Sequence, residues 1–208
     1  MILSINKIAR ITSVITHPLL APLYLFCIFA FSDLYFMLLL PQKVLLTMYF
    51  LIILITIVLP IVFMYLLKLR KKPTSIESSN DNTLRLSNLI NAVFYYLLFY
   101  LMKTADIIPI YYLYILSLVL VNVFVFAISL NYNISLYMVY AGSLVGYIAG
   151  LCLFFHYRLI YVLIGIVIFS GFAASSRLIL GKHKPSEVYS GFLLGVGLLL
   201  LVLVLIPR

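Results

Sequence analysis

The sequence is poor in charge and especially poor in acidic residues. Of its 208 residues, 9% are charged and 66% are hydrophobic, which leaves too little polar surface to cover a water-soluble globule. A soluble enzyme or soluble binding domain is therefore excluded. Fourteen basic residues stand against five acidic ones, and in a membrane protein this net charge of +9 favours anionic head groups as partners. No basic and aromatic pattern supports nucleic-acid binding.

Cysteine and targeting signals are also scarce. Cys27 and Cys152 both lie inside apolar runs, where cysteine usually serves as a small buried hydrophobe. Lys7 and Arg10 precede the first apolar stretch, but no small-residue cleavage site follows it, so we expect an uncleaved first span. No cluster of carboxylates or histidines predicts a metal, and no cofactor is predicted.

Long apolar runs predict an all-α fold, a polytopic transmembrane helical bundle of six to seven spans in one domain over residues 1–208. Strands with open edges are not tolerated in lipid, so each span should be a helix. Pro18 and Pro22 predict a bent first span, and Pro60 predicts a kink in the second. The predicted spans are 11–31, 44–67, 86–103, 108–130, 135–155, 159–175 and 188–206.

Small and polar residues mark the inner faces of several spans. Asn88 and Asn91 share one face of the third span, which should point into the bundle. Glycines recur at steps of four in the last spans and let a neighbouring backbone approach closely. These glycines are Gly142, Gly146, Gly150, Gly191 and Gly195. The helix faces that carry these glycines favour close packing against another helix of the chain, of a second copy or of another membrane protein.

Residues 176–187 place polar and charged side chains between two long apolar runs. Pro185 fits the first position of the following helix, with Lys184 as its cap and Glu187 as a first-turn acid. A helix N-terminus surrounded by cations is a natural phosphate site. The side chains around it are Arg177, Lys182, His183 and Lys184. The alternative is a basic connecting loop at the membrane surface.

The spacing within this segment resembles a known enzyme signature. Ser176-Arg177, five residues, His183, three residues and Glu187 are similar to the third signature of the type 2 phosphatidic acid phosphatases, membrane enzymes that dephosphorylate lipid phosphates. The resemblance implies that His183 is the nucleophile, that Glu187 orients its imidazole, and that Arg177 neutralises phosphate oxygens. Glutamate replaces the family's aspartate. Lys182 joins the implied phosphate-binding residues.

The other two signatures of this family are eroded. For the first, lysine then six residues then Arg-Pro, Arg85 is the only candidate arginine, with Ser78 and Leu86 where lysine and proline belong. For the second, Pro-Ser-Gly-His, only Ser135 remains, and Tyr137 stands where the family has its histidine general acid. The resemblance therefore implies Arg85 and Ser135 as phosphate-binding residues and Tyr137 as a poor replacement for the acid.

Each singled-out residue also has a simpler explanation. Arg177 alone would be an interfacial anchor, Ser135 a helix cap and Tyr137 a member of an aromatic belt. Arg85 could simply end a loop. His17 precedes Pro18 on the same side as the motif and could approach the site, although a structural role is favoured.

Seven spans would bring the N-terminus, the 68–85 loop, the 131–134 turn and the 176–187 motif to one membrane face. Ten basic residues would lie on that face and four on the other, so the positive-inside rule predicts a cytoplasmic motif, although the family's sites are mostly on the outer face. The membrane is predicted to be a bacterial inner membrane.

We expect a protein that binds a lipid phosphate or diphosphate, with phosphatase activity weak or lost. A positioned general acid typically contributes 10²- to 10⁴-fold, so its loss should matter most for leaving groups that need a proton. One alternative is an active polyprenyl-diphosphate or phosphatidyl phosphatase that uses His183. The other is a non-catalytic structural subunit of a membrane assembly.

Overall fold

A computed structural model describes residues 2–32, 37, 39–70, 79–105 and 108–205. These residues form helices and short connections, and no β-strand occurs among them. A 3₁₀ turn at Pro18–Leu20 and a π-helical segment at Leu54–Val58 lie between α-helices. The α-helices are α1 Ile2–Ile15, α2 Ala21–Phe31, α3 Gln42–Ile53, α4 Leu59–Arg70, α5 Ser79–Thr104, α6 Pro109–Ser129, α7 Leu136–Phe154, α8 Ile160–Ile179 and α9 Pro185–Leu205. The predicted all-α fold is confirmed.

Six segments of the described residues are long and apolar enough to cross a membrane. They are Lys7–Phe31, Gln42–Leu66, Pro109–Ser129, Leu136–Phe154, Ile160–Ile179 and Pro185–Leu205. The chain is thus a polytopic helical membrane protein, as predicted. Helix α5 covers the predicted span 86–103 but is not among the six. Its first turns carry several polar residues and its last turn carries Lys103.

Helix α5 buries its asparagines as predicted. Asn88 is 3% exposed and Asn91 is 9% exposed. The Asn88 side-chain amide donates a hydrogen bond of 2.7 Å to the main-chain carbonyl of Asn122 in α6. This bond links two helices in the apolar interior, where a backbone or side-chain oxygen is one of few available partners.

Prolines shape the first two spans. The first span breaks at His17, whose ring nitrogen caps the 3₁₀ turn that begins at Pro18. In the second span the main-chain N–H of Leu59 bonds to the carbonyl of Leu54, five residues back, and Pro60 follows directly. A proline has no N–H to give to the residue four positions earlier, and a π-helical turn is one way for a helix to accommodate this.

Helix α8 extends beyond Ser175, the predicted end of the sixth span. It continues to Ile179, so Ser176 and Arg177 belong to its last turns. A charge is tolerated in this part of the helix because the Ser13 hydroxyl and the Tyr137 ring contact the Arg177 guanidinium. The start of the last helix at Pro185 agrees with the proline pattern.

The chain divides into two compact units. The terminal unit consists of Met1–Ala21 and Tyr132–Arg208 and contains α1, α7, α8 and α9. The middle unit consists of Pro22–Asn131 and contains α3 to α6 with most of α2. In the middle unit the Tyr111 hydroxyl donates to the carbonyl of Pro22 at 3.0 Å, which fixes α6 against the start of α2. The prediction of one domain over the whole chain stays a prediction.

Helices α7 and α9 pack through their glycines. A Cβ atom on Gly142 would collide with the carbonyl oxygen of Phe192, and one on Gly195 would collide with the carbonyl oxygen of Val139. Three more glycines lie at the same contact between α7 and α9: Gly146, Gly150 and Gly191. These five glycines are called the glycine seam below. The small-residue faces of α7 and α9 therefore pack against each other within the chain. A second copy or another membrane protein bound through small-residue helix faces stays a prediction.

Candidate functional site

The connection between α8 and α9 is built by two standard helix-end arrangements. Gly181 has a φ of 60°, and its N–H bonds to the carbonyl of Leu178 at 3.1 Å. The N–H of Lys182 bonds to the carbonyl of Arg177, also at 3.1 Å. This pair of bonds with a left-handed glycine is a Schellman motif, which satisfies the last carbonyls of α8. The chain therefore reverses directly after the turn that carries Arg177.

Glu187 closes the other end of this connection. Pro185 begins α9, and the Glu187 carboxylate accepts a hydrogen bond of 3.3 Å from the N–H of Lys184. A glutamate at the third helical position that binds back to the cap N–H is half of a capping box. The acid also lies at the positive end of the helix. Its position is thus fixed by the start of α9.

His183 is held by the same carboxylate. Its Nδ1 lies 2.8 Å from Glu187 Oε2, and the two side chains are 24% and 15% exposed. An ionised carboxylate only accepts hydrogen bonds, so Nδ1 carries the proton and a neutral ring keeps its lone pair on Nε2. A histidine oriented in this way can act as a nucleophile through Nε2. The predicted catalytic roles of His183 and Glu187 stay predictions.

Arg177 is a buried cation in the last turn of α8. It is 6% exposed, its Nη2 donates to the Ser13 hydroxyl at 2.5 Å, and its guanidinium carbon lies 3.1 Å from the ring centre of Tyr137. The Nε atom is buried without a hydrogen-bond partner. Within the terminal unit the sequence contains a single acid, Glu187, and that carboxylate is engaged by His183. Arg177 therefore has no acid from its own unit beside it.

Tyr137 and Ser135 lie at the start of α7. The ring of Tyr137 contacts the Arg177 guanidinium and also meets the His17 ring at 5.6 Å in an edge arrangement. Ser135 is fully buried and its hydroxyl has no partner, while its N–H donates to the carbonyl of Glu187 at 3.3 Å. The start of α7 is thus tied to the first turn of α9. Tyr137 contributes to the site as the aromatic surface on which Arg177 rests.

The remaining predicted residues are less constrained. Lys182 is exposed on the connection. Arg85 is partly exposed on α5, in the middle unit, and its predicted role in phosphate binding stays a prediction. Ser78, which stands where the first signature has lysine, lies outside the described residues.

Ser13 is not among the residues predicted from the sequence, whereas His17 is predicted either to approach the site or, preferably, to have a structural role. The contact between Ser13 and Arg177 joins residues 164 positions apart, so no local pattern announces it. The only signal was the His17-Pro18 pair, which predicts a turn near the motif face. Among the described residues no group of three histidines, cysteines or acids could hold a metal ion.

These helices and this polar end define the class: a polytopic α-helical membrane protein with a buried arginine and a histidine–glutamate pair at one end of its terminal unit. No family model matches the chain, and neither the curated proteins nor the solved structures contain a significant match to it.

Proposed function

We propose that this protein binds the phosphate or diphosphate head group of a membrane lipid at the α8–α9 end of the terminal unit, with phosphatase activity weak or lost. The observation that carries the proposal is the burial of Arg177 without an acid from its own unit. Buried charges are costly unless they are paired. A phosphate oxygen would supply both the missing negative charge and an acceptor for the Nε–H.

Further charges support an anionic ligand. Lys182 and Lys184 are exposed on the short connection, and His183 stands beside the first turn of α9. The resemblance of residues 176–187 to a lipid phosphatase signature points in the same direction.

Weak activity follows from the residues around Arg177. The family's general acid is replaced by Tyr137, whose ring is stacked against the guanidinium. Losing a positioned acid costs about 10²- to 10⁴-fold when the leaving group needs a proton. The leaving group of an alkyl phosphate is a strongly basic alkoxide. The leaving group of a lipid diphosphate is itself a phosphate, with a second pKa of about 6. Remaining activity should therefore favour diphosphates.

The second candidate function is an active polyprenyl-diphosphate or phosphatidyl phosphatase. It is favoured by the 2.8 Å contact between His183 Nδ1 and Glu187. His183 Nε2 would attack phosphorus while the bond to the leaving oxygen breaks, with Arg177 compensating charge on the equatorial oxygens. Water would then break the phosphorus–nitrogen bond, release phosphate and regenerate the imidazole.

Binding and activity can be separated in lipid nanodiscs containing the purified protein. Farnesyl diphosphate and phosphatidic acid serve as probes, and Arg177→Gln should weaken binding at least about tenfold because a charge-assisted hydrogen bond is lost. Arg158→Gln is the matched control, since Arg158 is exposed in the turn between α7 and α8. Arg177→Lys keeps the charge and should retain part of the affinity.

An unchanged affinity in folded Arg177→Gln, or no binding by the native protein, would contradict the proposal. Release of inorganic phosphate from either probe is measured in parallel, with His183→Ala as control. Release that disappears in His183→Ala would establish the active phosphatase instead.

We also propose that the membrane is a bacterial inner membrane and that the α8–α9 connection faces the cytoplasm. The excess of basic residues predicted for that face supports this orientation. In a cysteine-free background, Lys184→Cys should react with a membrane-impermeant thiol reagent only after cell lysis. Arg158→Cys should react in intact spheroplasts, and the reverse pattern would invert the orientation.

A further inference from the structure

The two ring nitrogens of His17 have different roles: Nδ1 accepts a hydrogen bond from the backbone, and Nε2 is available to donate one. The N–H of Leu19 donates to His17 Nδ1 at 3.3 Å, which caps the 3₁₀ turn. Since Nδ1 accepts, a neutral ring must carry its proton on Nε2. The side chain is exposed. Nδ1 therefore caps the 3₁₀ turn, while the Nε2–H on the opposite side of the ring can donate a hydrogen bond to another group.

This ring lies against the residues that surround Arg177. Tyr137 contacts the His17 ring at 5.6 Å and the Arg177 guanidinium at 3.1 Å. The same N-terminal segment contributes Ser13, whose hydroxyl accepts from Arg177 Nη2. Two side chains of this segment therefore reach the surroundings of the buried cation, one directly and one through a shared aromatic ring.

We propose that the N-terminal segment completes the head-group site. In this proposal His17 Nε2–H donates to a phosphate oxygen of the lipid that Arg177 binds, and Ser13 positions the guanidinium. The inference rests on the proposed binding function and adds a ligand-contacting residue to it. The shared chemistry is a phosphate group, which a lipid monophosphate or a lipid diphosphate could present.

His17→Asn separates ligand contact from capping. An asparagine oxygen can accept the Leu19 N–H in place of Nδ1, because asparagine is a favoured cap, but asparagine does not extend to the position of Nε2. Affinity for farnesyl diphosphate or phosphatidic acid in nanodiscs should therefore fall roughly 10- to 100-fold, as expected for losing a hydrogen bond to a charged group. Thermal unfolding should be little changed. Comparing the loss of affinity for the two probes shows whether a diphosphate or a monophosphate head group accepts the hydrogen bond from His17.

The matched control is His156→Asn. His156 is exposed in the turn after α7 and has a φ of 55°, a conformation that asparagine tolerates. Its affinity should equal that of the native protein. If His17→Asn binds both probes as the native protein does while Arg177→Gln binds weakly, the inference is overturned and the proposed function stands. If the native protein binds neither probe, both are overturned.

Discussion

The glycine seam between α7 and α9 offers a sharp test, because α9 carries two glycines in opposite situations. A Cβ atom on Gly195 would collide with the carbonyl oxygen of Val139 and would lie 2.7 Å from the main-chain nitrogen of Ser143. A Cβ on Gly197, two residues later, would meet nothing within 4 Å. Replacing either glycine with alanine therefore has the same effect on helix propensity. Only the replacement at Gly195 forces a new carbon atom against a neighbouring backbone.

The expected magnitude follows from this pairing. Replacing glycine with alanine inside a helix is worth about 1 kcal/mol in helix propensity, and this gain applies equally to both positions. Forcing an extra carbon into a packed interface costs about 1–3 kcal/mol, and here the obstructing atoms are backbone. Gly195→Ala should thus be less stable than Gly197→Ala by about 1–3 kcal/mol.

The free energy of unfolding is measured by titrating the purified protein in mixed micelles with a denaturing detergent and following helical circular dichroism. Gly195→Ala should also weaken binding of farnesyl diphosphate, since the N–H of Ser135 in the α7 start is bonded to the carbonyl of Glu187 in α9. Equal stability of the two variants would refute the close backbone approach on which the terminal unit is built.

Three further predictions concern single side chains. Gly181→Ala should lower stability by about 1 kcal/mol because alanine disfavours a φ of 60°, and Gly181→Asn should lose less in the same unfolding assay. Glu187→Gln should lower stability by about 0.3–1 kcal/mol through the lost charge at the start of α9, and should also reduce any phosphate release. Asn88→Leu should change stability by less than about 1 kcal/mol, because one interhelical hydrogen bond is lost while a buried oxygen without a partner is removed.

Much of the fold could be predicted from sequence because lipid imposes simple constraints. Apolar runs define the spans, Pro185 marks the start of α9, and Asn88 and Asn91 reveal the inner face of α5. The sequence does not reveal how far α8 extends, because Arg177 resembles the end of a span, and only tertiary contacts show that this charge is buried inside a helix.

The candidate site could be predicted only in its local part. The contact between His183 and Glu187 joins residues one helical turn apart, which spacing can suggest. The contacts of Arg177 with Ser13 and Tyr137 depend on how α1, α7 and α8 pack. Such long-range neighbours leave no periodic signal in one sequence.

The seam of glycines also has a consequence for motion. Main chains in close contact along two helices leave little room for sliding, so α7 and α9 should behave as a rigid frame that keeps the His183 side chain at a constant depth. Gly165 and Gly171 of α8 have no such neighbours. We therefore expect the imidazole of His183 to keep its position at the start of α9 whether or not a head group is present.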